Sequence, residues 1–119
     1  MSCPFHRAAL AAAAAASLLS GCGAGHDASI ERGRVLMAHY QCGSCHSIPG
    51  VPASRGQVGP SLASFGKRSY IAGRMANRPD VLAQWIESPQ ALVPGTAMPD
   101  MGASTADARA MAAYLSSLQ

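Results

Sequence analysis

Cys42-Gly43-Ser44-Cys45-His46 is the stretch that decides how this chain reads. Two thiols flank two small residues, and a histidine follows the second thiol at once. This is the spacing by which a porphyrin is attached covalently to a chain. The thiols must reach two vinyl-derived carbons on one edge of the macrocycle. The adjacent imidazole must then meet the iron from one face. A helical turn between the cysteines satisfies both demands, and Gly43 and Ser44 let the backbone come close. A thioredoxin-like pair would need a βαβ context, which the flanking sequence does not offer. A zinc site takes four ligands, often from a second C-x-x-C, and none follows. A simple disulfide leaves His46 without a purpose. The pentapeptide predicts one covalent haem c, held by Cys42 and Cys45, with His46 as an axial iron ligand.

Moving outward, Ile30, Gly33, Met37 and Tyr40 recur at helical spacing and predict a helix from a cap at Ser29 into Cys42. Downstream, Pro49, Gly50, Pro52, Gly56, Gly59 and Pro60 crowd into residues 47–64 and predict a wrapping loop. A short helical turn is expected around Lys67–Ala72. Pro79 suits the first position of a helix, with Asp80 near its positive end. Val81, Leu82, Trp85 and Ile86 form its apolar face, and Ser88-Pro89 stops it. Residues 89–103 read as loop, turning at Pro94-Gly95. A last helix opens at Ser104, with Asp107 three residues on as in a capping box. Ala108, Met111, Ala112, Leu115 and Leu118 line one of its faces. No strand of any length is expected. The predicted fold is all-α: three to four short helices joined by loops long enough to enclose a large apolar body.

The second axial ligand must come from far along the chain. Met98 is the expected residue, in Pro94-Gly95-Thr96-Ala97-Met98-Pro99. Pro99 stiffens the chain just past the sulfur, and the preceding turn can swing the loop across the open haem face. A thioether favours ferrous iron and raises the potential. Met101 is the alternative to Met98. Met37, Met75 and Met111 read as packing residues, the common use of methionine. His39 is expected to face solvent, and His26 to be inert in the tether.

The chain has 119 residues, a one-domain length, with a formal net charge of +3. Arg7 followed by the small and apolar run Ala8–Leu19 predicts an export signal over residues 1–21, too short to span a bilayer comfortably. Leu19-Ser20-Gly21-Cys22 resembles the lipobox of bacterial lipoproteins, which implies lipidation of Cys22 and anchoring at a membrane surface. Ordinary cleavage near Ala24, giving a soluble periplasmic protein, is the other outcome considered. Residues 22–28 are expected to be a flexible tether and 29–119 the folded domain. No basic run or aromatic-basic interleaving points to nucleic acid.

Taken together, these residues resemble class I cytochromes c across about residues 29–118. More narrowly, they are similar to the haem c domain fused to subunit II of some bacterial haem-copper oxidases. Cys42–Ile48, Gly56–Pro60, Trp85-Ile86 with Pro89-Gln90, and Pro94–Pro99 carry the likeness. The resemblance implies N- and C-terminal helices that cross beside the haem, with Gly33 as the small residue at the crossing and Tyr114 packed on it. It implies that the Pro60 carbonyl accepts a hydrogen bond from His46. It also implies that Tyr70 and Trp85 approach haem propionates, although core packing would account for either. Arg74 is expected to be solvated. No subunit II module or copper motif is visible in this sequence, so any oxidase link is expected by partnership rather than fusion.

The expected role is single-electron transfer at the periplasmic face of a bacterial membrane, not enzymatic turnover and not binding of a small-molecule substrate. The expected partners are a quinol-oxidising complex, a dehydrogenase or a terminal oxidase. A haem enzyme or gas sensor with a labile distal ligand is the alternative reading.

Overall fold

The computed structural model describes residues 21–119. The export signal expected over residues 1–21 lies outside them apart from Gly21, as does the Cys22 side chain. Among the described residues there are four helices: α1 (Gly21–His39), α2 (Pro79–Glu87), α3 (Pro89–Leu92) and α4 (Thr105–Ser117). A 3-10 turn at Cys42–Ser44 follows α1, and a second lies at Phe65–Lys67. Two antiparallel strands of two residues each, β1 (Tyr70–Ile71) and β2 (Met75–Ala76), pair Tyr70 with Ala76 and Ile71 with Met75.

The crossing of α1 and α4 is the structural centre. Gly33 is buried there, and a Cβ on it would lie 2.6 Å from the Ala110 carbonyl carbon and 2.9 Å from the Tyr114 Cβ. Only a residue without a side chain lets the two backbones approach this closely. Met37, Ala108, Met111, Ala112 and Leu115 pack behind the crossing, each 3 % exposed or less. The Ser104 hydroxyl caps α4 by accepting from the Asp107 N–H at 3.2 Å, as the sequence predicts. The Asp107 carboxylate then reaches back to α1, accepting from the Tyr40 hydroxyl at 2.7 Å and from Arg32. Its carboxyl is held below the usual range by the Tyr40 hydroxyl first, then by Ser104 and Arg32. At the other side of the crossing, the Tyr114 hydroxyl donates to the Pro49 carbonyl and Arg34 donates to the Gly50 carbonyl at 3.0 Å. The loop that follows the C-x-x-C-H segment is thereby tied to both helices.

Pro79 opens α2 with Asp80 in its first turn, as expected, and α2 also packs on α4. Leu82, Ala83 and Ile86 are its buried residues.

Three local expectations are corrected. The tether is helical: α1 begins at Gly21, not at Ser29, and its residues 23–28 are exposed. Extending a helix that tertiary packing has already nucleated needs no contacts of its own. The turn expected over Lys67–Ala72 is split between the 3-10 turn and β1. The Asn77 side chain enforces this by donating to the Phe65 and Arg68 carbonyls at 3.0 and 2.9 Å. Finally, part of the 89–103 loop is helical. Pro89 is fully buried at the start of α3, and its fixed φ suits a first helical position.

Candidate haem-binding site

The segment after α1 makes a tight coil. The N–H groups of Cys45 and His46 both donate to the Cys42 carbonyl, at 3.2 and 3.0 Å. Cys42 and Cys45 are both half-buried, and no disulfide joins them. Among the described residues no cluster of three His, Cys, Asp or Glu side chains gathers.

The 47–64 loop returns to this coil and brackets it. Gly56 N–H donates to the Gly43 carbonyl at 3.0 Å, Gly59 N–H to Cys45 at 2.7 Å, and Leu62 N–H to Ser47 at 2.8 Å. The Ser54 hydroxyl donates to the His46 carbonyl at 3.1 Å. This zipper seats the imidazole. His46 Nδ1 is 2.7 Å from the Pro60 carbonyl, so Nδ1 carries the proton and the Nε2 lone pair is free. A Cβ at Gly59 would sit 2.7 Å from Nδ1 and closer still to the ring's Cε1, so glycine is required beside the ring.

His46 opens onto a cavity of about 440 Å³, within the range of cofactor pockets. Cys42, Cys45, His46 and Pro60 line one side. Thr96, Ala97, Met98 and Pro99 line it from the far loop. Its floor is apolar: Met37, Leu62, Phe65, Ile71, Leu82 and Leu115, each under 8 % exposed. Trp85 and Tyr70 also line it, Trp85 half-buried and Tyr70 61 % exposed at the mouth. A wide apolar chamber with two thiols, one free imidazole nitrogen and one thioether on its walls fits a haem c.

The structure thus brings together residues as distant as Cys42 and Met98. Met101 is 43 % exposed and does not line the cavity. His39 and Arg74 are exposed, as expected. Met37 and Met111 are packed, and Met37 also forms part of the cavity wall. Sequence reasoning missed Phe65, Ile71 and Arg68 as lining residues. Arg68 stacks over the Phe65 ring at 5.1 Å and donates to the Ser61 carbonyl. A β-branched residue next to an exposed tyrosine gave no helical or strand period to read there.

The family model described as cytochrome c oxidase, cbb3-type, subunit III matches residues 28–115. The chain belongs to this family of class I cytochromes c. Its relatives include cytochrome c oxidase subunit 2 of Alkalihalophilus pseudofirmus, 37 % identical over 91 residues, covering 74 % of this chain and 25 % of that protein. Cytochrome c oxidase subunit 2 of Bacillus subtilis is 31 % identical over 87 residues, covering 71 % and 24 %. The chain spans about a quarter of the length of these relatives. No solved structure matches it. As a class I cytochrome c with one covalently bound haem c, the chain is an electron-transfer module. Among the described residues no helix is long and apolar enough to cross a membrane.

Proposed function

We propose that this cytochrome c is a closed-site carrier of single electrons, working at the periplasmic face of a bacterial membrane and not turning over a substrate. The observation that carries the reading is that His46 and Met98 line one cavity from opposite loops, with Cys42 and Cys45 on its edge. In this reading Cys42 and Cys45 would hold haem c as thioethers, and His46 Nε2 and the Met98 sulfur would ligate its iron. Haem c supplies, when bound, an iron that exchanges one electron between ferric and ferrous states.

The chain's own residues do the rest. The Pro60 carbonyl accepts from His46 Nδ1, which fixes the ring plane and leaves Nε2 facing the cavity side of the ring. Leu62, Phe65, Ile71 and Leu82 keep water from the chamber floor. With Met98 on the iron, no position would be left for a substrate. In this reading Trp85 and Tyr70, which also line the cavity, would approach the propionates. The named relatives are oxidase subunits, which makes a terminal oxidase, or a dehydrogenase or quinol-oxidising complex upstream of one, the proposed partner. Lipidation at Cys22 would hold the domain at that membrane.

The test is a spectrum of the holoprotein, ferric and dithionite-reduced, with and without carbon monoxide. A low-spin c-type spectrum with the ferric sulfur-to-iron band, indifferent to carbon monoxide, supports the carrier. Met98→Ala should abolish the band, lower the potential and admit carbon monoxide, while Met101→Ala should not. Ready carbon monoxide binding by the parent would overturn the reading in favour of an enzyme or gas sensor.

A further inference from the structure

We propose that Gln90 is a positioning residue that holds Met98 on the cavity side of its loop, an inference that rests on Met98 being the distal ligand. The loop from Val93 to Gly102 has little packing of its own. Pro94, Gly95, Ala97, Pro99 and Asp100 are all exposed. Gly95 has a left-handed φ of +82°, and a Cβ there would meet nothing within 4 Å, so the turn is not wedged in place by neighbours. One side chain spans it instead. Gln90 Nε2 donates to the Thr96 carbonyl at 2.6 Å and lies 3.5 Å from the Met98 carbonyl. Gln90 Oε1 accepts from the Gly95 N–H at 3.0 Å. Both ends of a single amide are used, one on each side of the bend.

The platform for this clamp is rigid. Gln90 follows Pro89, which is fully buried, and Val93 N–H closes α3 onto the Pro89 carbonyl at 2.9 Å. Inside the loop, the Thr96 hydroxyl accepts from Met98 N–H at 3.3 Å, so the clamp on Thr96 is passed directly to Met98. The Gln90 side chain is itself exposed and packs no core, so its role is the placement of the loop and not the stability of the fold. Losing the clamp frees the loop to swing about Gly95 and raises the population with Met98 withdrawn.

The test uses holoprotein carrying Gln90→Leu, Gln90→Glu or Met98→Ala, with cyanide affinity of the ferric form, the sulfur-to-iron band and the denaturant midpoint measured for each. Gln90→Leu should raise cyanide affinity about tenfold, the scale of two lost neutral hydrogen bonds, and weaken the band, with the midpoint falling by no more than those two bonds account for. Gln90→Glu keeps the acceptor for Gly95 N–H but sets a carboxylate against the Thr96 carbonyl, and should behave alike. If both Gln90 variants bind cyanide like the parent while Met98→Ala binds it tightly, the proposal fails and the ligand assignment stands. If none of the three changes, the ligand assignment fails and takes the proposal with it. A midpoint loss well beyond that of two hydrogen bonds would make Gln90 a structural residue of α3 and also overturn it.

Discussion

Gly33→Ala is the most direct test of the helix crossing on which the site is built. The added Cβ would overlap the Ala110 carbonyl, lying 2.6 Å from its carbon, and would press on the Tyr114 Cβ at 2.9 Å. The obstacle is backbone, so no rotamer change relieves it and α1 must move off α4. Overpacking of this kind costs roughly 1–3 kcal/mol, and a backbone obstacle belongs at the upper end. Helix propensity works the other way, since alanine in place of a helical glycine contributes about 1 kcal/mol. The net expectation is a loss of about 2 kcal/mol. In a domain of under a hundred residues each kcal/mol shifts Tm by about 4–8 °C, so the fall should be roughly 10 °C or more. Thermal and urea unfolding of the holoprotein, followed by circular dichroism at 222 nm, measure it. Gly25→Ala is the matched control: it lies in the same helix, but a Cβ there meets nothing within 4 Å. It should leave stability unchanged or raise it. If Gly33→Ala is as stable as Gly25→Ala, the close approach of the two backbones is not a constraint and the steric argument is refuted.

Gly59→Ala should disrupt the His46 seat, because the new Cβ meets the imidazole. The expected result is a high-spin or mixed ferric spectrum, with a parent-like low-spin spectrum as the contrary result. Asp107→Asn tests the acid side of stability. The folded carboxyl lies below its ordinary value, so its contribution is present above about pH 4 and is lost as pH falls through the lower folded value. The urea midpoint of the parent should therefore drop more steeply below about pH 4 than that of Asp107→Asn, and parallel curves would refute the linkage. Tyr114→Phe removes the donor to the Pro49 carbonyl and should cost about 1 kcal/mol in urea unfolding, with no loss indicating that water replaces the bond. Cys22→Ala should move the protein from the membrane fraction to the soluble periplasmic fraction, and unchanged fractionation would rule out the lipid anchor.

What the sequence made legible was written in short-range chemistry. The C-x-x-C-H spacing announces its use because the demand for two thiols and an imidazole on one edge is local. The Ser104–Asp107 cap and the Pro79 start of α2 are likewise decided within one turn. Met98 was separable from Met101 because a proline follows it, and only Met98 lines the cavity. The hairpin of β1 and β2 was hidden for a physical reason. Its turn places Ala72 at φ +50° ahead of Gly73 at +67°, where a left-handed turn usually advertises itself with Asn or Asp. The Asn77 side chain, just past β2, ties the hairpin to the Phe65 and Arg68 carbonyls ahead of β1, a contact that no strand pattern announces. The early start of α1 was obscured by Gly23 and Gly25, each unfavourable in a helix yet insufficient to break one already under way. Gln90 stood in a recognisable Pro-Gln pair, but what it grips lies across a turn that only coordinates reveal.

The unbroken run of α1 from Gly21 to His39, two residues short of the haem-attachment turn, gives the N-terminal side of this domain an angular phase. A helix rotates whatever precedes it by about 100° per residue and advances it by about 1.5 Å. One residue inserted among exposed positions 23–28 would turn the whole body, cavity mouth included, by more than a quarter circle about the helix axis. Seven inserted residues would return it almost to register while moving it about 10 Å outward. With the stem held at Cys22 as proposed, orientation and reach could thus be dialled separately, and electron-transfer rates to a fixed partner should follow the insert length as an oscillation rather than a smooth decay.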